Sequence, residues 1–251
     1  MNISPTQVTK YRQCARKIGY EYVEGFRSPP SPKQAFGREV HRHLERWLRD
    51  GVLPDESPAG LVAKQGIGRW LPPPGPELLV EHTWSIPLEC GVVLSGIADC
   101  VQPPRGDELP LVIDHKSTSA LKWALTPEQL GRDAQALLYA TWAGLRFGAC
   151  AVRARWIYYS ASNPASGAPR RPTGAKPVET IIVLPDAVQI MRGVLRDVEA
   201  IVKIRSDQTC GLALPPSPAS CDLYGGCYYR DKCGDLGQWT RVAAKMDRSH
   251  R

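Results

Sequence analysis

Val92-Val93-Leu94-Ser95-Gly96-Ile97-Ala98-Asp99 and Leu111-Val112-Ile113-Asp114-His115-Lys116 decide how this chain reads. Each is a short apolar, β-branched run that arrives at an aspartate, so each predicts a strand with a carboxylate at its end. Side chains alternate along a strand, so Lys116, two residues beyond Asp114, projects from the same face. Two carboxylates hold a hard divalent cation through oxygen. An ammonium group beside them stabilises the charge that builds on a phosphoryl oxygen as water attacks. Asp99 and Asp114 are therefore candidate metal ligands, and Lys116 a candidate charge stabiliser, for metal-assisted hydrolysis of a phosphate ester. Leu111-Val112-Ile113 is too apolar for an open surface, which puts Asp114 at a sheet edge or cleft.

Upstream, Ser4-Pro5-Thr6-Gln7 and Ser31-Pro32 each open a helix, with a capping serine and a proline in the first turn. The first helix runs to Tyr11 or beyond and leaves Cys14 near its end. The second ends near Asp50-Gly51 and lines up Val40, Leu44, Trp47 and Leu48 on one face. His41 borders that stripe and is a further candidate ligand, an imidazole suiting Mn²⁺ better than Mg²⁺. His43 is expected to point elsewhere, into solvent. A third helix is expected over residues 59–71, closed by the prolines at 72–76.

Residues 78–88 and 92–101 read as a hairpin around Glu89-Cys90-Gly91, with Glu81 a lesser candidate acid near the cation. His115 alternates off the site face, yet its backbone carbonyl is a candidate metal ligand. Thr126-Pro127-Glu128-Gln129 starts a long helix to Phe147, on which Gln135 and Tyr139 stand four apart and project together. Strands over 151–160 and 178–184 flank a polar loop over 163–176, and a helix follows to about residue 205. No repeat and no long linker interrupts the pattern. One α/β domain over residues 1–240 with a basic tail over 241–251 is the simplest partition.

The chain has 251 residues, 43% hydrophobic and 23% charged, which is ordinary globular composition. No apolar run is long enough to span a bilayer, and Met-Asn-Ile-Ser-Pro does not open a secretory signal, so no membrane association and a cytoplasmic location are expected. No P-loop signature is present, so no ATP motor is expected. A net charge of +7 suits a polyanionic partner. Arg170-Arg171, the basic tail, and Lys122 with Trp123 are candidate contacts to a nucleic-acid strand, since an aromatic ring beside a cation can stack on a base.

Eight cysteines in a cytoplasmic chain are not expected to form disulfides. Cys90, Cys100 and Cys150 adjoin apolar strands and read as buried thiols. Cys221-x5-Cys227-x5-Cys233 crowds three thiols into a Gly- and Tyr-rich segment, and Cys14 is the natural fourth. Such a Cys₄ set suits zinc or an iron–sulfur cluster, although the Cys-x2-Cys knuckles common in zinc sites are absent. Cys210 is left as a spare.

Gly37-x3-His41, Gly96-x2-Asp99, Asp114-x-Lys116 and Gln135-x3-Tyr139, in that order, resemble the motif series of the RecB-like branch of the PD-(D/E)XK nucleases. The opening Ser4-Pro5…Tyr11-x2-Cys14-x5-Tyr20…Gly25 resembles AddB-like, CRISPR-adaptation and phage exonucleases, with Cys14-Ala15 where such proteins usually have Cys-Pro. The resemblance implies a restriction-endonuclease-like core, a central mixed sheet flanked by helices. It implies that His41, Asp99, Asp114 and the His115 carbonyl bind catalytic Mg²⁺ or Mn²⁺, that Lys116 assists hydrolysis, and that Gln135 and Tyr139 contact substrate. It implies a [4Fe-4S] cluster on Cys14, Cys221, Cys227 and Cys233 that joins the N- and C-terminal segments. The expected activity is exonucleolytic cleavage of single-stranded or end-frayed DNA, beside a helicase, recombinase or integrase partner. Two other readings are a non-catalytic iron–sulfur DNA-binding protein with a vestigial site and a zinc-stapled protein scaffold. The intact Asp99, Asp114 and Lys116 argue against the first of these.

Overall fold

The computed structural model describes residues 1–162, 169–222 and 226–233. The basic tail over 241–251, residues 163–168 of the polar loop and part of the Gly- and Tyr-rich segment lie outside them. The described residues form two compact units, one of Pro30–Arg192 and one of Ile3–Pro29 with the described residues between Gly193 and Cys233. A two-residue strand, Asn2–Ile3 (β1), begins the chain.

In the Pro30–Arg192 unit, Ser31 caps α3 (Pro32–Asp50) through a full capping box with Gln34, and Gly51 closes it in the left-handed conformation at φ 69°. The helix at 59–71 is shorter than expected. It spans Pro58–Lys64 (α4), after which the backbone continues in single turns to Trp70. Strands β2 (Leu79–Pro87), β3 (Val93–Gln102), β4 (Leu111–Thr118), β5 (Ala151–Ala161) and β6 (Pro172–Val183) follow one another across the sheet. The β4–β5 pair is parallel and the others antiparallel, so the sheet is mixed. β6 starts inside the stretch read from sequence as loop.

Alternation divides the sheet into two faces. Ile113, Ile157 and Tyr159 pack with Val40, Leu44 and Leu48 of α3 and Val62 of α4 in one buried core. On the opposite face Trp156 lies 6.2 Å from Tyr139, and Trp84 lies 5.6 Å from Tyr139 and 6.4 Å from Trp142. Helices thus flank the sheet on both sides, the arrangement that the motif resemblance implies.

The expected single helix from Thr126 to Phe147 is two: α5 (Pro127–Leu130) and α6 (Ala134–Phe147). The break arises because Asp133 Oδ1 accepts from Gln135 N and Ala136 N at 3.0 Å each, which starts a new helix. That cap sets the entry angle of the helix carrying Gln135 and Tyr139.

In the other unit, α1 (Pro5–Gln13) ends at Cys14, and α2 (Ala15–Ile18) runs into a π-helical turn at Gly19–Val23. A long helix, α7 (Val188–Ser206), carries Asp197, which accepts from Arg12 Nε at 2.6 Å. Gly19 allows a backbone approach that no other residue permits, since a Cβ there would stand 2.6 Å from Gly211 N. Arg16 donates to Leu214 O at 2.8 Å and to Cys233 O at 3.2 Å, and the Tyr20 and Tyr229 rings stack at 5.2 Å. These contacts bind the two ends of the sequence into one unit.

Replacing Asp133 with alanine should remove a helix cap and lower unfolding stability by about 1 kcal/mol. Asp133→Asn, which can still accept from the two amides, should retain most of it. Chemical denaturation of the three proteins checks the difference.

Candidate metal and hydrolysis site

The site begins where two strands stop pairing. β3 and β4 are in register at Gln102↔Leu111, Val101↔Val112 and Cys100↔Ile113, and the ladder ends there. The next residues are Asp99 and Asp114. The His115 N–H, released from the ladder, donates to Asp99 Oδ2 at 2.6 Å, so the acid satisfies a backbone donor in the gap. On the other side of β3, Val80↔Cys100 and His82↔Ala98 bring Glu81 opposite Asp99. Glu81 holds φ at +48°, one of two non-glycine residues at positive φ among those described. Such a conformation costs about 1–3 kcal/mol and persists where its surroundings demand it. From α3, His41 places Nδ1 3.5 Å from Asp99 Oδ2.

His41, Glu81 and Asp99 each offer a ligand atom, and these atoms lie within 4.8 Å of one another. Donors about 2.1 Å from an octahedral ion lie roughly 3 Å apart in cis and about 4.2 Å apart in trans, so this group fits one ion with small shifts. Charge favours a cation as well. Burial and the neighbouring Asp114 push the Asp99 carboxyl well above the usual carboxylate range, with Glu81 adding to the effect. Burial and Glu45 raise Glu81, while burial lowers His41 and leaves a neutral imidazole with a lone pair to give.

Asp114, Lys116, Gln135 and Tyr139 form a connected network. Lys116 Nζ lies 2.6 Å from Asp114 Oδ2 and donates to Gln135 Oε1 at 2.8 Å. Gln135 Nε2 donates to Asp114 Oδ1 at 2.7 Å and to the Tyr139 hydroxyl at 2.9 Å, and Tyr139 donates to Ile97 O at 2.6 Å. Burial alone would lower the Lys116 pKa, but Asp114 and Asp99 outweigh it and raise it, so the ammonium stays charged. Lys116 also lies 5.7 Å from the Trp156 ring centroid. In this network Gln135 and Tyr139 direct their polar groups to Asp114, Lys116 and the β3 backbone.

The His115 side chain lies on the other face. Burial holds it neutral, and its ring meets His41 edge-on at 5.6 Å and Tyr159 at 5.7 Å. His43, expected in solvent, is buried instead: α4 packs on α3 and brings Ser57 Oγ to 3.4 Å and Asp55 Oδ1 to 3.6 Å from its Nε2. Cys100 is buried as expected, whereas Cys150 is exposed because it precedes the first paired residue of β5. Glu81, a lesser candidate in the sequence, joins His41 and Asp99 in the group of ion-binding spacing. The signal was available in the hairpin register, which sets it opposite Asp99. Its positive φ had no sequence signal.

In the other unit, Cys14, Cys221, Cys227 and Cys233 line one cavity, with Tyr20 and Arg16 in the wall. The Tyr20 hydroxyl lies 3.6 Å from Cys233 Sγ. Burial raises the Cys221 thiol, and the other three thiols add to the rise. Among the described residues no set of three thiols meets the 4.8 Å spacing that the His41 group meets.

A family model described as the PD-(D/E)XK nuclease superfamily matches residues 2–71 and 72–234 of this chain. Among solved structures, the crystal structure of SSO0001 is similar at 15% identity, over 93% of this chain and 86% of that one, with a TM-score of 0.49. No curated protein matches. No helix among the described residues is long and apolar enough to cross a membrane.

Asp99 carries a stability consequence with a definite sign. Its folded pKa lies above the unfolded value of about 3.9, so the folded state keeps the proton longer. Stability without metal then falls as pH rises from about 4 through the raised pKa. Asp99→Asn should melt a few °C higher than the parent in EDTA. The parent should gain melting temperature with Mn²⁺, more at pH 8 than at pH 5, while Asp99→Asn gains little. Thermal melts at the two pH values check both halves.

Proposed function

We propose a function from one premise: this chain belongs to the PD-(D/E)XK nuclease superfamily, whose members use divalent metal ions. The function is cleavage of DNA phosphodiesters, exonucleolytically, on single strands or frayed ends. One observation carries the reading. An acid–imidazole group of ion-binding spacing adjoins a half-buried, protonated lysine across the gap between β3 and β4. His41, Glu81 and Asp99, with Asp114 and the His115 carbonyl at the same gap, would hold Mg²⁺ or Mn²⁺. The ion, when bound, supplies Lewis-acid polarisation of the scissile phosphate and a more acidic water.

The chain's own residues do the remaining work. Lys116, kept charged by Asp114, presents its ammonium where negative charge develops on the phosphoryl oxygens. Gln135 holds Lys116 and Asp114 in fixed relation, so neither side chain has to reorganise during the reaction. Tyr139 ties Gln135 to the β3 backbone two residues before Asp99. The net charge of +7 favours accumulation of a polyanion at the surface.

For the four cysteines the proposal is a [4Fe-4S] cluster held by Cys14, Cys221, Cys227 and Cys233. What supports it is their shared cavity and the raised pKa of the Cys221 thiol, which burial and the three neighbouring sulfurs make costly to ionise without a metal. Tetrahedral zinc at about 2.3 Å from sulfur needs thiolates roughly 3.8 Å apart, closer than this set comes. A cluster core is wider than one ion and suits the broader spacing. When bound it supplies a covalent tie between α1 and the chain beyond α7.

Time-resolved digestion of end-labelled linear and circular single strands with Mg²⁺ or Mn²⁺ tests the nuclease reading. Linear strands should shorten from an end while circles persist. Lys116→Ala should lower the rate about 100- to 1,000-fold, and Asp114→Ala should abolish cutting while binding remains. Normal cutting by either variant overturns the assignment. Separately, protein purified without oxygen should be brown, absorb broadly near 400 nm, and contain about four irons. Cys221→Ser should lose the colour and expose the α1 segment to proteolysis. A colourless, zinc-containing parent overturns the cluster.

A further inference from the structure

We propose that Trp123, with Lys122 over its ring, is a stacking platform for one unpaired base of the strand held at the hydrolysis site. The inference rests on the nuclease reading and names the form of substrate that the site selects. Trp123 is 67% exposed, the one exposed tryptophan among the described residues. Its setting is a rigid turn. Thr118 Oγ1, at the end of β4, donates to Ala120 O at 2.9 Å and accepts from Ala120 N at 3.2 Å. A 3₁₀ turn over Leu121–Trp123 follows, with Trp123 N bonded to Ala120 O at 3.2 Å and Ala124 N to Leu121 O at 3.1 Å.

The far side of the turn is anchored as well. Leu125 N donates to the Tyr158 hydroxyl at 3.3 Å. Leu121 packs at Gly174 of β6, where its methyl stands 3.3 Å from the place a Cβ would occupy. Both anchors lead to the site. Tyr158 is the register partner of Lys116, so the two share a sheet face. Lys116 and Asp114 are close enough to Tyr158 to act on its phenol electrostatically. Trp123 is two residues from Leu125, so their Cα atoms are no more than about 7 Å apart. An exposed indole is therefore held just beyond the end of the strand that carries Asp114 and Lys116, in a turn tied to the register partner of Lys116.

The chemistry of the pair fits a nucleotide. Lys122 Nζ lies 4.9 Å from the Trp123 centroid, over the ring. The cation covers one face and draws phosphate, and the indole offers stacking area to a base of any identity. In an intact duplex the bases are already stacked and paired, so the platform rewards single strands and frayed ends.

The test uses Asp114→Asn protein, which holds DNA uncut, with and without Trp123→Ala. Three fluorescent probes of equal length are compared by anisotropy: oligo-dT, an abasic sugar–phosphate strand, and a duplex. Trp123→Ala should weaken dT binding about 5- to 150-fold, the range for loss of one base stack. It should leave abasic and duplex affinities within about twofold, and Trp123→Phe should restore most of the dT affinity. Undiminished dT binding by Trp123→Ala, or an equal loss on the abasic strand, overturns the platform and leaves the nuclease reading standing. Failure of the parent to bind any probe overturns both.

Discussion

Everything at the hydrolysis site depends on the parting of β3 and β4 beyond Cys100↔Ile113. A continued ladder would bring Asp99 and Asp114 together as a cross-strand pair of like charges, which is unfavourable in a sheet. The ladder's end opens a gap instead, and its free backbone donor at His115 is satisfied by Asp99. This solution leaves the two carboxylates beside one another where the ladder stops, Asp99 met by His41 of α3 and Asp114 by Gln135 of α6. Burial first, and then the neighbouring Asp114, raises the Asp99 pKa, so the acid carries a desolvation cost together with a like-charge repulsion. Positive charge resolves it, and Lys116 supplies only part, because its ammonium is engaged by Asp114 and Gln135.

The Gln135 amide shows how tightly the other half of the site is specified. Its Oε1 accepts from Lys116, and its Nε2 donates both protons, one to Asp114 and one to Tyr139. A flipped amide would set two donors against the ammonium and an acceptor against the carboxylate, so one orientation is allowed. Tyr139 can then accept from Gln135 only because its own proton goes to Ile97 O. The chain of bonds is directional from the β3 backbone to the lysine, and α6 carries its middle. The Asp133 cap matters for the same reason: it fixes where α6 begins and therefore how deep Gln135 reaches.

Much of this was legible in the sequence, and what was not has physical causes. The strands that carry Asp99 and Asp114, the shared face of Lys116, the i, i+4 projection of Gln135 and Tyr139, and the caps at Ser4 and Ser31 follow from local periodicity and capping chemistry; the strands themselves run on past the expected ends, β3 to Gln102 and β4 to Thr118, because β4 keeps pairing with β5. Glu81 depends on hairpin register plus an unusual backbone angle, and only the register can be read from residues. His43 is a burial created by α4 packing on α3, a tertiary event that helix periodicity does not encode. The split of α5 from α6 was readable, because Asp133 is a good N-cap, but a continuous apolar pattern hid it. The division into two units brings Ile3–Pro29 together with the described residues between Gly193 and Cys233, a pairing across most of the sequence that no local pattern announces.

The two units carry donor sets of opposite character. His41, Glu81 and Asp99 present carboxylate oxygen and imidazole nitrogen, which suit hard or borderline divalent ions such as Mg²⁺ and Mn²⁺. Cys14, Cys221, Cys227 and Cys233 present sulfur alone, which suits iron–sulfur chemistry and thiophilic ions. Neither set competes well for the other's metal, so one chain can keep a tight structural centre and an exchangeable catalytic ion in the same solution. Each set includes one group that burial makes costly to ionise, Cys221 among the thiols and Asp99 at the sheet, and a bound cation would offset that cost in either place. The difference would be one of consequence: in the thiol unit a bound centre would tie Cys14 to the segment of Cys221, Cys227 and Cys233, and in the sheet unit an ion would ready a gap for a phosphate.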